Sequence, residues 1–441
     1  MKKHCFAKTT VYTILGSIIC ICTGYGNNSV HLSQILEREG AFHDECDPAT
    51  PDDEVCPAQR RKIALIFTLA FPALYFGEFL GGVLTTYLGA RKLAVISILA
   101  LMMGNGLFAS SPKSNFVLLA ASQTIILATG CMAFISTLAL TKAVPSSRKI
   151  ATLFGCLFNF SYILMAIFNI TNKETSLSRS ALFLIYLVPL TICLLLTITL
   201  FPSTNTLQAM EPQPQPIATT IKSQETTQTP SKPLQPDTIT IEMSPQNPES
   251  LRFQAKKSTF WAVYAIFGVV AMTRANLWLT NLSDIVNQYG GDGDGVGFVV
   301  GMVIAFNFVF SPCTGGVLQR RGLPTAMVVC LVLTTLHMVV SVVPDWRAQV
   351  LAVPLFMATF PFSFTILYTY GMTVAGRNYG LVVGVGQLIV AVGTFCLSLA
   401  LTILLRGPLS MNFSALFAIL GGLQLLAFIV PWLLVKHKIH Q

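Results

Sequence analysis

Long apolar stretches alternate along the chain with short polar interruptions. A helix needs about 20 apolar residues to cross a hydrocarbon core. Twelve stretches reach that length: 9–36, 62–88, 92–110, 115–143, 148–170 and 180–201, then 258–285, 293–318, 324–343, 348–375, 378–405 and 412–435. Between the sixth and the seventh lies a polar run that includes Met210-Glu-Pro-Gln-Pro-Gln-Pro216 and Pro245-Gln-Asn-Pro248. Its few hydrophobics follow neither a helical nor a strand period, so it buries too little to offset the entropy of ordering. The pattern predicts an all-α membrane protein of twelve transmembrane helices in two six-helix bundles, 1–202 and 258–441, joined by a disordered linker at 203–257.

Composition agrees. Of 441 residues, 53% are hydrophobic and 11% charged, with a mean hydropathy of +0.66. A soluble domain carries about 25% charged residues. The net charge of +9 reflects basic residues in short loops, which points to membrane topology and not to nucleic acid. An even number of spans puts both termini and the linker on one side. That side collects eighteen Lys and Arg against nine opposite, with Arg274 inside a span, so the termini are expected in the cytoplasm. The first apolar run is expected to be retained, because Asn27 and Asn28 stand where a leader's small-residue cleavage site would fall. With no retention signal at Lys436-His-Lys-Ile-His-Gln441, the plasma membrane is the default, and a monomer in contact with membrane lipid the default assembly.

The loop after the first span holds Cys46 and Cys56, expected to pair in an oxidising compartment. Asn169-Ile-Thr171 is a glycosylation sequon near the same face. Asp292-Gly-Asp294-Gly has too few carboxylates for a calcium loop and is expected to be a turn. No His-Glu-x-x-His, Gly-x-Ser-x-Gly or metal-spaced cluster marks the spans, so neither an enzyme nor a cofactor is expected.

The two halves repeat one another. Gly81-Gly82-Val83-Leu84 closes the second span and precedes Thr85-Thr-Tyr-Leu-Gly89-Ala-Arg91-Lys92. Gly315-Gly316-Val317-Leu318 closes the eighth and precedes Gln319-Arg320-Arg321-Gly322. This resembles the loop signature of the major facilitator superfamily, Gly-x-Leu-x-Asp-Arg-x-Gly-Arg-Arg. The usual Asp is replaced by Thr86 in the first copy and Arg320 in the second. Glycines there allow close helix approach, and the basic residues suit helix C-termini. The resemblance implies alternating access, two bundles rocking around a site near the bilayer midplane. Three further stretches resemble solute carrier family 43. They are Cys56-Pro-Ala-Gln-Arg-Arg-Lys-Ile-Ala-Leu-Ile-Phe-Thr-Leu69, Asn281 followed by Gly290-Gly291-Asp292, and Asn378-Tyr-Gly380-Leu-Val-Val-Gly384. That resemblance implies facilitative uniport of large neutral amino acids or, in one branch, of nucleobases.

Ionisable groups within spans are costly and mark pathways or internal networks. Glu78 in the second span and Arg274 in the seventh are the two clear cases. In one reading they belong to separate structural networks. In the other, Arg274 takes a substrate carboxylate through its planar fork, and Glu78 holds an ammonium group or carries a coupling proton. Tyr25, Gly26 and Asn27 after Gly24 could unwind and offer backbone groups to a substrate. Asn159, Tyr162, Asn307, Tyr368 and Gln387 are polar groups on apolar helices, as apt for interhelical hydrogen bonds as for a ligand. The rival carriers are a nucleobase or other organic-solute carrier and a proton symporter. From another class, a non-transporting sensor or scaffold would use the linker to bind partners.

Overall fold

A computed structural model describes residues 2–49, 51, 55–143, 147–203, 206–207, 257–375 and 379–437. The linker expected at 203–257 falls outside the described residues apart from its ends, as does Asn378 of the family-43 stretches. The described residues hold only helices, and twelve are long and apolar enough to cross a membrane. In order they are Thr9–Asn27, Pro57–Leu88, Ala90–Ser110, Phe116–Thr141, Leu153–Thr175, Arg179–Leu200, Ser258–Thr280, Gly293–Leu318, Arg320–Val342, Trp346–Gly371, Gly380–Arg406 and Phe413–Lys436, called spans 1 to 12 below. Side chains such as Val117, Ile185, Leu351, Ile403 and Leu426 stand exposed on them, as lipid-facing positions do.

Two of the departures from the apolar pattern bear on the site. Span 1 stops at Asn27, and a separate helix, Ser29–Arg38, runs on in a new direction. A 3-10 turn over Tyr25–Asn27 and the non-helical backbone of Asn28 (φ −86°, ψ 77°) separate them. Span 2 begins earlier than the apolar run. Pro57 fits the first helical turn, which has no need of its missing N–H, and the Cys56 sulfur accepts from the Gln59 N–H at 3.4 Å. Arg60, Arg61 and Lys62 are thereby drawn into the helix.

The repeat is written in the backbone as well as the sequence. Gly89 and Gly322, just after the two Gly-Gly-Val-Leu copies, share a conformation: φ 78°, ψ 154° and φ 80°, ψ 172°. Only glycine adopts such a pair without strain. The close approach expected of the glycines holds in the first copy alone. A Cβ on Gly82 would lie 2.5 Å from the Gly380 carbonyl of span 11, whereas Gly315 and Gly316 have nothing within 4 Å. Arg91 does cap a helix, donating to the Ile198 carbonyl at the end of span 6.

Cys46 and Cys56 form a disulfide with their Cα atoms 5.9 Å apart. The end of the molecule that carries it is called the disulfide end below, and the opposite one the terminus end. Asp292 is an N-cap, accepting from the Gly295 N–H at 3.0 Å, in keeping with the turn expected there. The sequon asparagine is no glycan acceptor in this structure. Asn169 is buried, and its amide nitrogen meets His31 Nδ1 at 2.8 Å and Gln34 Oε1 at 2.7 Å.

Candidate functional site

The seam between the first six spans and the last six is built from irregular helices. Span 2 is broken at Phe71–Pro72, span 5 at Ser161–Tyr162, span 7 is π-helical over Ala262–Gly268, and span 8 is 3-10 over Ala305–Phe310. Such interruptions free backbone and side-chain groups where they line a path through a membrane protein.

Glu78 sits on the seam, 4% exposed. Its electrostatic neighbours come from both halves: Tyr75 on its own helix, Cys131 of span 4, Tyr162 of span 5, Tyr264 of the π-helical segment and Tyr368 of span 10. Tyr75 lies one helical turn before Glu78 and stacks on Phe364 of span 10, ring centroids 5.8 Å apart. Of these tyrosines, Tyr264 is spoken for, its hydroxyl donating to the Leu367 carbonyl at 3.0 Å. Glu78 Oε2 and the Tyr75 hydroxyl are buried without a hydrogen-bond partner, and the buried Tyr368 hydroxyl faces the Glu78 carboxylate in a loose contact. Among the described residues no basic side chain forms an ion pair with Glu78. A carboxylate ringed by aromatic faces and hydroxyls has the chemistry to take a cation or a proton.

Arg274 is elsewhere. Its guanidinium, 1% exposed, turns into the second half. It donates to His337 Nδ1 of span 9 at 3.1 Å and to Thr359 Oγ1 of span 10 at 3.0 Å, and lies over the Phe356 ring at 5.5 Å. Among the described residues Arg274 and Glu78 share no partner, so this conformation does not bring them into one zwitterion site.

The remaining candidates divide. Tyr25 donates its hydroxyl to Asn105 and packs on Tyr186 within the first half. The Gly26 carbonyl is taken by Gln123 at 3.0 Å, and the Asn27 amide turns back on the Gly24 carbonyl at 3.2 Å. The segment is a 3-10 turn, not an unwound one, and its groups are engaged by the protein's own. Tyr162 is buried, with its side chain approaching Asn27, and Asn159 is half-buried on the same span. Asn307 in the 3-10 stretch of span 8 and Gln387 in span 11 are fully buried, with both polar side-chain atoms unpartnered. They join Glu78 as groups awaiting a partner.

Tyr75 and Tyr264 escaped notice in the sequence. Their signal was the three-residue spacing of Tyr75 from Glu78; Tyr264 had none, since only the fold brings it there.

The family model described as Major Facilitator Superfamily matches residues 14–395. Among solved structures, a D-xylose–proton symporter superposes with a TM-score of 0.63 at 12% identity, covering 96% of this chain and 97% of that one. The human organic anion transporter MFSD10 (TETRAN) gives 0.62 at 15%, covering 96% and 98%. The E. coli xylose transporter XylE, partially occluded and inward-open, gives 0.64 at 11%, covering 97% of each chain. Among curated proteins, Protein FMP42 of Saccharomyces cerevisiae (strain ATCC 204508 / S288c) is 27% identical over 180 residues, 40% of this chain. The chain spans only about a third, 36%, of that relative's length. With twelve spans, a doubled loop signature and a family match over most of its length, the chain belongs to the Major Facilitator Superfamily and is a multi-pass membrane transporter.

Proposed function

We propose that the chain moves a small solute bearing a protonated amine by alternating access, and that Glu78 takes the ammonium group. The observation that carries this reading is the cluster of buried oxygens on Glu78, Tyr75 and Tyr368, drawn from both sides of the seam, in which Glu78 Oε2 and the Tyr75 hydroxyl have no partner. Residues 1–202 and 258–441 act as the two rocking bundles. The termini face the cytoplasm, and the plasma membrane is the site of action. Large neutral amino acids are the class that the family-43 resemblance implies, and facilitative uniport the mode. Arg274 ties spans 7, 9 and 10 together, so the substrate carboxylate is met by neutral donors such as Asn307 or Gln387.

A second reading rests on the same carboxylate. With no basic partner among the described residues, Glu78 can bind a proton instead, and transport is then proton-coupled. Purified protein in liposomes separates the two. Labelled leucine or phenylalanine is offered against adenine at equal pH without sodium, and then under an imposed proton gradient. Saturable uptake of the amino acid at equal pH, lost in Glu78→Gln, supports the ammonium site. Uptake only under the gradient assigns Glu78 to the proton. Adenine uptake that survives Glu78→Gln overturns both.

A further inference from the structure

The helix Ser29–Arg38 carries a second polar constellation, remote from Glu78. Its apolar face, Leu32, Ile35 and Leu36, packs into the core of the first six spans with Ile63, Ile66 and Phe67. His31, Gln34 and Glu37, three residues apart, form a polar flank on the other side of the helix, and Asn28, its non-helical N-cap, stands at the start of it. Each one meets the first turns of span 8 or a charge cluster beside it. Asn28 Nδ2 donates to the Gly301 carbonyl at 2.9 Å, and the His31 ring abuts Phe298, centroids 5.4 Å apart. Gly301 has no room for a side chain, since a Cβ there would lie 2.7 Å from His31 Nε2. Gln34 Nε2 donates to the Asp294 carbonyl at 2.8 Å. Glu37 reaches Arg60 Nε at 3.4 Å, and Arg60 spans the seam to Asp284 at 3.8 Å and Asp294 at 3.1 Å.

We propose that this polar face, locked by Arg60, is the gate that closes the disulfide end: it docks on span 8 when the path is shut there and parts when the halves rock.

Three features suit a seam that must reopen. The contacts are polar, so water replaces them at modest net cost. They are incomplete, because Asn28 Oδ1, His31 Nε2 and Asn169 Oδ1 are buried without partners and gain them on opening. The helix is anchored to the first half, by its apolar face and by the bonds of Asn28, His31 and Gln34 to Tyr162 and Asn169 of span 5, so separation breaks only the contacts to span 8 and leaves the core intact. The disulfide positions the lock: Cys56 caps the helix on which Arg60 lies one turn later, while Lys62 pairs with Glu45 beside Cys46 and lies over Phe42 at 5.0 Å. The inference rests on alternating access but not on the identity of the solute.

The test needs no substrate. Val30, 5% exposed, lies against Gly297 of span 8, its Cγ1 3.5 Å from where a Cβ would sit. Val30→Cys is labelled in proteoliposomes by a membrane-impermeant maleimide, with Lys113→Cys on the exposed loop at the same end as reference. Slow labelling of Val30→Cys, accelerated at least about tenfold by added Arg60→Ala in protein of unchanged melting temperature, is the expected result. Gln34→Ala gives an independent readout should Arg60→Ala fold poorly. Labelling of Val30→Cys as fast as Lys113→Cys, or slow labelling unmoved by either substitution in folded protein, overturns the gate.

Discussion

At the scale of single residues, the membrane interior sorts charges by whether they have company. Arg274 has neutral acceptors on two neighbouring helices for both terminal nitrogens, which fixes its fork within the second half, and only its Nε is buried without a partner. Arg274→Lys keeps the charge but loses the fork. It is expected to lower stability by about 1.5–3 kcal/mol, the worth of a hydrogen bond to a charged group, while leaving KM for the amino acid unchanged. Thermal melting and uptake kinetics check the two halves of that statement, and a raised KM with unchanged melting would return Arg274 to the substrate site. Glu78 is the reverse case, a buried acid with a spare oxygen. Glu78→Gln is expected to cut amino-acid kcat/KM by roughly tenfold to a hundredfold, the loss of one charge-assisted bond, with melting unchanged or raised.

Between elements, packing decides what sequence identity does not. The two Gly-Gly-Val-Leu copies are the same four residues, yet only the first is pressed against another helix. Gly82→Ala is expected to push span 2 off span 11, costing about 1–3 kcal/mol as overpacking does, and to slow transport. Gly316→Ala meets open space and is expected to gain about 0.5–1 kcal/mol from helix propensity. Melting temperatures of the two variants compared side by side test the asymmetry. The Cys46–Cys56 link is a second such element. Replacing both cysteines by serine is expected to cost about 2–3 kcal/mol from the freed loop, and to speed labelling at Val30→Cys because Arg60 loses its fixed mount. Equal melting of the parent and the double serine variant would argue against that.

For the whole molecule, the proposed gate makes the conformational balance depend on pH. Glu37 lies beyond span 1, and burial pushes its carboxyl up to about 7. Asp294 and Asp284 add to that rise and Arg60 opposes it. Asp284 is shifted upward in the same direction, again by burial first. The closed seam therefore binds more protons than the open one, where water restores an ordinary carboxylate. Closure from Glu37 is fully favoured below the ordinary value near 4.5 and is lost as pH rises through about 7. Arg60 keeps Asp294 and Asp284 when Glu37 is neutral, so protonation does not unlock it. Raising the pH at the disulfide end from about 6 to about 8 is expected to speed Val30→Cys labelling by up to about tenfold relative to Lys113→Cys, and Glu37→Gln to flatten that dependence.

The sequence by itself determined the twelve crossings, the twofold repeat and the Cys46–Cys56 pairing. Each follows from local chemistry: the length of an apolar run against the thickness of a bilayer, a tetrapeptide at matching span ends, two cysteines in one loop. It also singled out Glu78 and Arg274, since charge among apolar residues is visible without a fold. Their surroundings were not visible. That Glu78 meets Tyr264 and Tyr368, that Arg274 turns to His337, and that Asn169 is enclosed by His31 and Gln34 are matters of which helices face each other. The polar flank at 31, 34 and 37 and its cap Asn28 were also hidden, because the break at Asn28 sits inside what reads as one unbroken apolar span. Only the tertiary structure aims that helix at span 8, since the direction a chain takes after a single non-helical residue is set by what it packs against.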